Sequence, residues 1–341
     1  MKVILVGCGS ISRRWIEAIE FIEEAELVCL VDINLNSADK IKNDNKLKID
    51  IRNSLNTALD EYYPDVILDC TTPDARFDIV SNSLRKGAHV LSEKPVALNI
   101  SEAEKLIAIS NESNRHYAVM QNRRYDPNAE TVKKLLDSEK IGKLTTINCD
   151  FYKGCHFGGF RDEMEHVLLK DMAIHTFDIA RYFSGLNMQK TFCYEWNPSG
   201  SWYQHGASSV AVFIMGNDVV FNYRGSWCSE GQETAWESKW QFIGEKGSIE
   251  WDGAASLLLV RATESGNFIN KKEEKIYKCI YDNNPVKWHY KAIQLFFKSI
   301  KKGEIPDNIS FNNIKSFYMV ESAIKSSKEK KMINNEGEYA N

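Results

Sequence analysis

Lys2-Val-Ile-Leu-Val-Gly-Cys-Gly-Ser-Ile-Ser12 is the stretch whose reading decides the fold. Four branched aliphatic residues, Val3 to Val6, run straight into Gly7 and Gly9, and Ile11, Trp15, Ile19 and Ile22 then recur at helical spacing. A second apolar run, Leu27-Val-Cys-Leu-Val31, ends on Asp32. Strand, tight turn, helix, strand and terminal acid in that order are the plan of a dinucleotide site. Gly7 permits the turn, and Gly9 lets the backbone approach a pyrophosphate with no Cβ in the way. The helix predicted to open at Ser10 and Ile11 turns its N–H groups and positive dipole end toward the phosphates. Asp32 can accept both hydroxyls of an adenosine ribose. Ser12 stands where the fingerprint has its third glycine and is small enough for close helix–strand packing. No Arg or Lys follows Asp32 until Lys40, so a 2′-phosphate would meet a carboxylate and no cation. NAD is therefore expected over NADP.

At 341 residues the chain exceeds one ordinary core, and two domains are expected. Hydrophobic residues at 43% and charged residues at 26% describe a water-soluble globular chain, and a net charge of −4 points to neither nucleic acid nor an anionic membrane as partner. Apolar runs are too short to span a bilayer. The chain opens on a strand that the fold needs, so no secretion signal is expected. The eight cysteines are scattered, with no Cys-x-x-Cys and no Cys/His cluster at metal spacing. They read as reduced core thiols of a cytoplasmic protein, and no metal site is expected.

The alternation continues past Asp32. Helices are predicted over 37–45, 54–63, 73–86 and 101–113, and strands over 49–51, 66–72, 89–92 and 117–120. Six strands with intervening helices make a doubly wound parallel sheet, a Rossmann domain over residues 1–122. From 123 to 341 the pattern changes to an α+β domain with a large, mostly antiparallel open sheet. Its signals are a helix over 127–139, a strand over 143–152, a loop rich in glycine and aromatics at 154–161 and a helix over 167–184. Hairpin turns follow at Met215-Gly-Asn-Asp218 and Gly244-Glu-Lys-Gly247, and two closing helices cover 288–302 and 312–330.

Two places carry residues that can do chemistry. In Ser92-Glu93-Lys94-Pro95 a strand's carboxyl end meets a stiff turn, the position at which ligands bind in an open α/β sheet. Lys94 is otherwise a surface lysine. The second place is the helix Lys170-Asp-Met-Ala-Ile-His-Thr-Phe-Asp-Ile-Ala-Arg-Tyr-Phe183. At 100° per residue Asp171, His175, Asp178 and Tyr182 share one stripe, flanked on both sides by apolar residues. An imidazole within reach of a carboxylate can serve as a general base, or can be a core histidine satisfied by its own neighbours.

These residues together resemble the Gfo/Idh/MocA oxidoreductase family over nearly the whole chain. The resemblance rests on Gly7-Cys-Gly9, Thr72-Pro73, Glu93-Lys94-Pro95, Arg124-Tyr-Asp-Pro127, Asp171-Met-Ala-Ile-His175-Thr-Phe-Asp178 and Gly244-Glu-Lys-Gly247-Ser248. It implies that Lys94 orients the reacting hydroxyl, that His175 transfers its proton and that Asp171 is the neighbouring substrate-binding acid. It also implies that Thr71, Thr72, Pro73, Glu93 and Lys94 border the cofactor, and that the open sheet joins subunits in a homodimer or homotetramer. The expected reaction is reversible hydride transfer between nicotinamide and a secondary alcohol of a sugar, sugar derivative or inositol-like cyclitol. Two departures fall where the resemblance puts the sugar: Arg76-Phe77 where many members have a histidine, and His166-Val-Leu-Leu169 where a glycine-rich stretch is common. Three rivals stay open: a sensor that binds dinucleotide without turnover, an oxidoreductase that shuttles hydride between two aldoses on a retained cofactor, and a reductase of nucleotide-linked sugars.

Overall fold

The computed structural model describes residues 1–264, 266–280, 286–335, 337 and 339. The chain forms two compact units, Met1–Tyr125 with Asn283–Ile314, and Asp126–Asp282 with Lys315–Asn341.

The first unit is built on β1 (Lys2–Val6), β2 (Glu26–Val31), β3 (Asp50–Arg52), β4 (Val66–Asp69), β5 (His89–Ser92) and β6 (Tyr117–Val119). They pair in the order β3-β2-β1-β4-β5-β6, and every pair is parallel. Connections run through α1 (Ser12–Ile19), α2 (Leu35–Asp44), α3 (Leu55–Tyr62), α4 (Pro73–Arg85) and α5 (Ile100–Glu112). Helices on both faces explain why β1 and β4 read as unbroken apolar runs, since Val3 to Val6 and Val66 to Asp69 are all buried. Local chemistry sets the helix starts. Ser54 accepts the Thr57 N–H, and Pro73 occupies the first turn of α4, where its fixed φ costs nothing. Ser101, the first residue of the predicted helix, lies inside α5. Asn99 caps instead, accepting the Glu102 N–H at 3.0 Å while Glu102 reaches back to the Leu98 N–H at 3.3 Å.

The second unit opens with α6 (Pro127–Asp137) and β7 (Leu144–Tyr152). The predicted single helix over 167–184 is two pieces, a π-helical segment Leu168–Ala173 and then α7 (Ile174–Ser184), which Gly185 closes at φ +69°. There follow β8 (Met188–Trp196), β9 (Ser208–Met215), β10 (Val220–Ser226), β11 (Lys239–Gly244), β12 (Gly247–Trp251), β13 (Ser256–Ala262) and β14 (Lys272–Lys278). With β15 (Ile333–Asn334) they form one sheet in the order β14-β13-β12-β11-β7-β10-β9-β8-β15. All its pairs are antiparallel except β7 with β10. One face buries Trp240, Phe242, Trp251, Phe213 and Phe221 under α7, where Phe177 and Phe183 meet them edge-on. The other face is open.

The chain closes with α8 (Val286–Lys302) and α9 (Ser310–Glu329). The expected division into 1–122 and 123–341 misses the return of the chain. Ala292, Ile293, Phe296 and Phe297 of α8 pack into the same core as Trp15, Ile16 and Ile19 of α1. The apolar face of α1 requires a cover, and linear order does not say which distant helix supplies it.

Candidate functional site

At the carboxyl edge of the parallel sheet four neighbouring strands deliver the expected residues side by side. Gly7 follows β1, Asp32 follows β2, Thr71-Thr72-Pro73 follow β4 and Glu93-Lys94 follow β5. Gly7 sits at φ +89°, its N–H donating to Val31 O at 2.8 Å, and a Cβ there would stand 2.8 Å from Cys70 C and Thr71 N. The turn therefore accepts glycine alone. A Cβ on Gly9 would meet no protein atom within 4 Å, so its absence serves something other than internal packing. The expected helix start at Ser10 is two residues early: Ser10 and Ile11 belong to the turn, and Ser12 Oγ donates to Gly9 O at 2.6 Å. The first turn of α1 has neither a side-chain cap nor an acidic residue, which leaves it suited to an anion. Asp32 Oδ2 accepts the Cys8 N–H at 2.7 Å and Oδ1 the Asn34 N–H at 2.8 Å. One carboxylate thus ties the glycine turn to the end of β2 and retains lone pairs for hydroxyl donors. These features fit a dinucleotide.

Two further groups fasten the turns after β4 and β5. Trp15 Nε1 on α1 donates to Glu93 Oε1 at 2.7 Å. Arg76 on α4 is fully enclosed, 0% exposed, against the expectation that it stands beside the sugar. Its Nε donates to Asp69 Oδ2 at 3.1 Å, Nη1 to Pro95 O at 2.8 Å and Nη2 to Thr71 O at 2.7 Å. Burial is the largest influence and opposes the Arg76 charge, but Asp69, Tyr117 and Glu93 together outweigh it, so its pKa lies above the ordinary value. The Lys94–Pro95 peptide is cis. Sequence reading took Trp15 only as a helix-core residue. It treated Arg76 as a substrate neighbour, although an acid in the apolar run of β4 signals a buried cation.

In the second unit the expected stripe separates. Asp171 lies in the π-helical segment, where the backbone advances by more than 3.6 residues per turn, and both it and His175 are half-buried. Asp178 is enclosed, 1% exposed, and accepts the Ser316 hydroxyl at 2.7 Å, while Arg181 donates to the same hydroxyl oxygen at 2.8 Å. It serves the core. Asp171 Oδ2 accepts Arg161 Nε at 2.9 Å, and the Arg161 guanidinium lies over the rings of Phe157 and Phe160 at 5.0 and 4.8 Å. Arg161 was visible only as the end of an aromatic loop. Nearby, His156 stacks on Trp202 at 3.7 Å, and Tyr203 donates its hydroxyl to Cys155 O at 2.6 Å. Burial pushes the Tyr203 phenol up to about 12. Tyr203 and Trp227 are core, and Trp236 is 48% exposed beside Lys153. His166, the second departure, adopts φ +58° and pairs with Glu195.

This arrangement, a dinucleotide edge in one unit and a histidine–acid helix over an open sheet in the other, defines an oxidoreductase of the Rossmann class. A family model described as an oxidoreductase family with an NAD-binding Rossmann fold matches residues 1–121, and the Gfo/Idh/MocA C-terminal domain matches residues 129–250. The chain belongs to the Gfo/Idh/MocA oxidoreductase family, and its cofactor is NAD. It is 27% identical over 239 residues to an uncharacterized protein of Sinorhizobium fredii, a match spanning 66% of this chain and 65% of that one. It is 21% identical over 337 residues to a myo-inositol 2-dehydrogenase of Thermotoga maritima, spanning 97% of both. Among solved structures, an oxidoreductase from Agrobacterium radiobacter in complex with NAD+, L-tartaric acid and magnesium superposes with a TM-score of 0.90 at 17% identity, covering 98% of each chain. At that identity the likeness is one of fold.

Proposed function

We propose that the protein is an NAD-dependent dehydrogenase that interconverts a secondary alcohol and a ketone on a sugar, sugar derivative or inositol-like cyclitol. Bound NAD supplies the hydride acceptor, and everything else falls to side chains. His175 takes the hydroxyl proton of the substrate at an imidazole nitrogen. The Lys94 ammonium donates to the same oxygen and stabilises the charge that develops on it. Asp171, with Arg161 beside it, holds a neighbouring hydroxyl and orients the imidazole. Gly7, Gly9, Ser10 and Ile11 border the pyrophosphate, Asp32 the ribose, and Thr71, Thr72, Pro73 and Glu93 the nicotinamide side.

The observation that carries this reading is the half-buried Asp171 and His175, presented on a π-to-α junction in a helix most of whose residues are buried. Irregular helical turns of this kind recur at functional sites. The match to the inositol dehydrogenase over 97% of both chains favours a cyclitol among the possible polyols. The open sheet face exposes Phe192, Tyr194, Trp196 and Val210 beside a polar depression formed by Asn148, Asp150, Asn222, Arg224 and Gln241. An apolar patch rimmed by polar groups favours a homodimer or homotetramer joined there. All eight cysteines are free thiols, which fits the cytoplasm.

The test is a panel of inositols, aldoses, sugar phosphates and amino sugars mixed with NAD+, read by NADH fluorescence. Turnover that falls by about 10²–10⁴ in His175→Ala supports the assignment. Full turnover in that variant, or NAD+ binding without turnover of any polyol, sinks it; the latter outcome is that of a dinucleotide sensor.

A further inference from the structure

Arg76 touches neither solvent nor, being wholly enclosed, any substrate, yet it spends all three guanidinium nitrogens on one job. A buried ion pair is costly to desolvate, and apolar residues of equal volume would hold the fold as well. What a planar, forked cation adds is fixed spacing between several acceptors, which a single ammonium cannot span. Two of its acceptors are backbone carbonyls in the turns after β4 and β5. The first, Thr71 O, lies beside Thr72 and Pro73, and the second, Pro95 O, immediately follows Lys94.

The remaining contacts fasten the same two turns. Asp69, the ion-pair partner, accepts the Thr71 N–H at 2.8 Å and its hydroxyl at 2.5 Å, and its backbone carbonyl accepts the Glu93 N–H at 2.8 Å. Trp15 holds the Glu93 carboxylate at 2.7 Å, and the Tyr117 hydroxyl donates to Val96 O at 2.5 Å. The backbone is thus pinned at 93, 95 and 96, on both sides of Lys94.

The geometry points to Arg76 as a positioning residue for Lys94: clamped on Asp69, it sets the distance between the Thr71 turn and the turn that carries the lysine. This inference rests on the reading of Lys94 as the group that holds the reacting oxygen.

The test uses the full-length protein, Arg76→Lys, Arg76→Gln and Lys94→Ala, each checked by thermal unfolding. NAD+ affinity is measured by calorimetry. Acetylation of Lys94 by acetic anhydride, with and without NAD+, is followed by peptide mass spectrometry, with exposed Lys105 as internal reference. Turnover uses the polyol giving the strongest NADH signal. In Arg76→Lys, kcat is expected to fall on the order of 10²-fold while KM and NAD+ affinity change far less, as a misplaced catalytic group demands. The shielding of Lys94 by NAD+ expected in the unsubstituted protein should largely disappear. If Arg76→Gln does not fold, Arg76→Lys, which keeps the charge, decides the matter. Unchanged kcat and shielding in Arg76→Lys, with Lys94→Ala inactive, overturns the positioning role alone. So does a parallel loss of stability, NAD+ affinity, KM and kcat, which marks a merely structural residue. Full turnover in Lys94→Ala, or no shielding of Lys94 in the unsubstituted protein, overturns the reading of Lys94 and this inference with it.

Discussion

Replacing Asp32 by asparagine changes one charge at the end of β2 and little else. The carboxylate holds the Cys8 N–H at 2.7 Å and the Asn34 N–H at 2.8 Å. An asparagine keeps one carbonyl oxygen for the Cys8 amide, and the Asn34 amide, in an exposed turn, turns to water. The fold should lose only about 1 kcal/mol. Cofactor binding should lose more. A hydroxyl donated to a carboxylate contributes about 1.5–3 kcal/mol against roughly 1 kcal/mol for a neutral acceptor. Losing the charge on the acceptor of two ribose hydroxyls then weakens NAD+ binding by about 1–4 kcal/mol, a factor of roughly 5–700. For NADP+ the sign reverses. A phosphate charge 4 Å from the carboxylate is opposed by about 4 kcal/mol at an effective dielectric constant of 20. Calorimetric titration of both proteins with NAD+ and NADP+ measures the two changes separately, and thermal unfolding monitors the fold. Asp32→Asn should bind NADP+ more tightly than the native protein does and lose most of the discrimination between the cofactors. If it binds NAD+ within a factor of about 3 of native (under 1 kcal/mol) and still rejects NADP+, the carboxylate is not the ribose reader.

Gly7→Ala should cost about 2–4 kcal/mol in denaturant unfolding, because φ +89° strains any L-residue and the new Cβ meets Cys70 and Thr71 backbone at 2.8 Å. Native stability in that variant would mean the turn can open. Arg161→Ala should move kinetics rather than stability: the ion pair with Asp171 is partly exposed and contributes at most about 1 kcal/mol to folding, whereas kcat/KM for the polyol should fall about tenfold or more. Unchanged kcat/KM would show that Asp171 needs no help from Arg161. Burial, followed by the neighbouring His116 and Arg115, lowers the His89 pKa to about 4, and its Nδ1 accepts the His116 N–H at 3.0 Å. The unfolded chain then binds the extra proton between pH 6.5 and about 4, so this stability is complete above pH 6.5 and drains away as pH falls through that window. His89→Gln should flatten the stability–pH curve between those limits, and a curve of unchanged slope would assign the acid sensitivity elsewhere.

The parallel sheet was legible because burial on both faces leaves unbroken aliphatic strands, and because topology then dictates which strand ends face a ligand. That is why Gly7, Asp32, Thr72 and Lys94 could be named together from residues far apart in the chain. The features missed share a physical cause. A charged residue is seldom expected in a core, so Arg76 in the predicted helix after β4 was expected beside the sugar, where the family resemblance puts it. The contrary signal was Asp69, an acid inside an apolar strand, which burial tolerates only beside a cation. An acid in a buried strand and an arginine in the helix that follows should be read as one unit. The π-helical segment had no such signal. Helical periodicity assumes 3.6 residues per turn, and no side chain encodes the wider turn. It is held by tertiary packing, with Leu168, Leu169, Met172 and Ala173 all buried, while Asp171 between them stays half-buried. A stripe drawn at 100° per residue therefore grouped Asp178 with Asp171 and His175, and the core claimed Asp178 through Ser316. Residue type singled out the acids, but only the three-dimensional packing separates the enclosed Asp178 from the partly exposed Asp171.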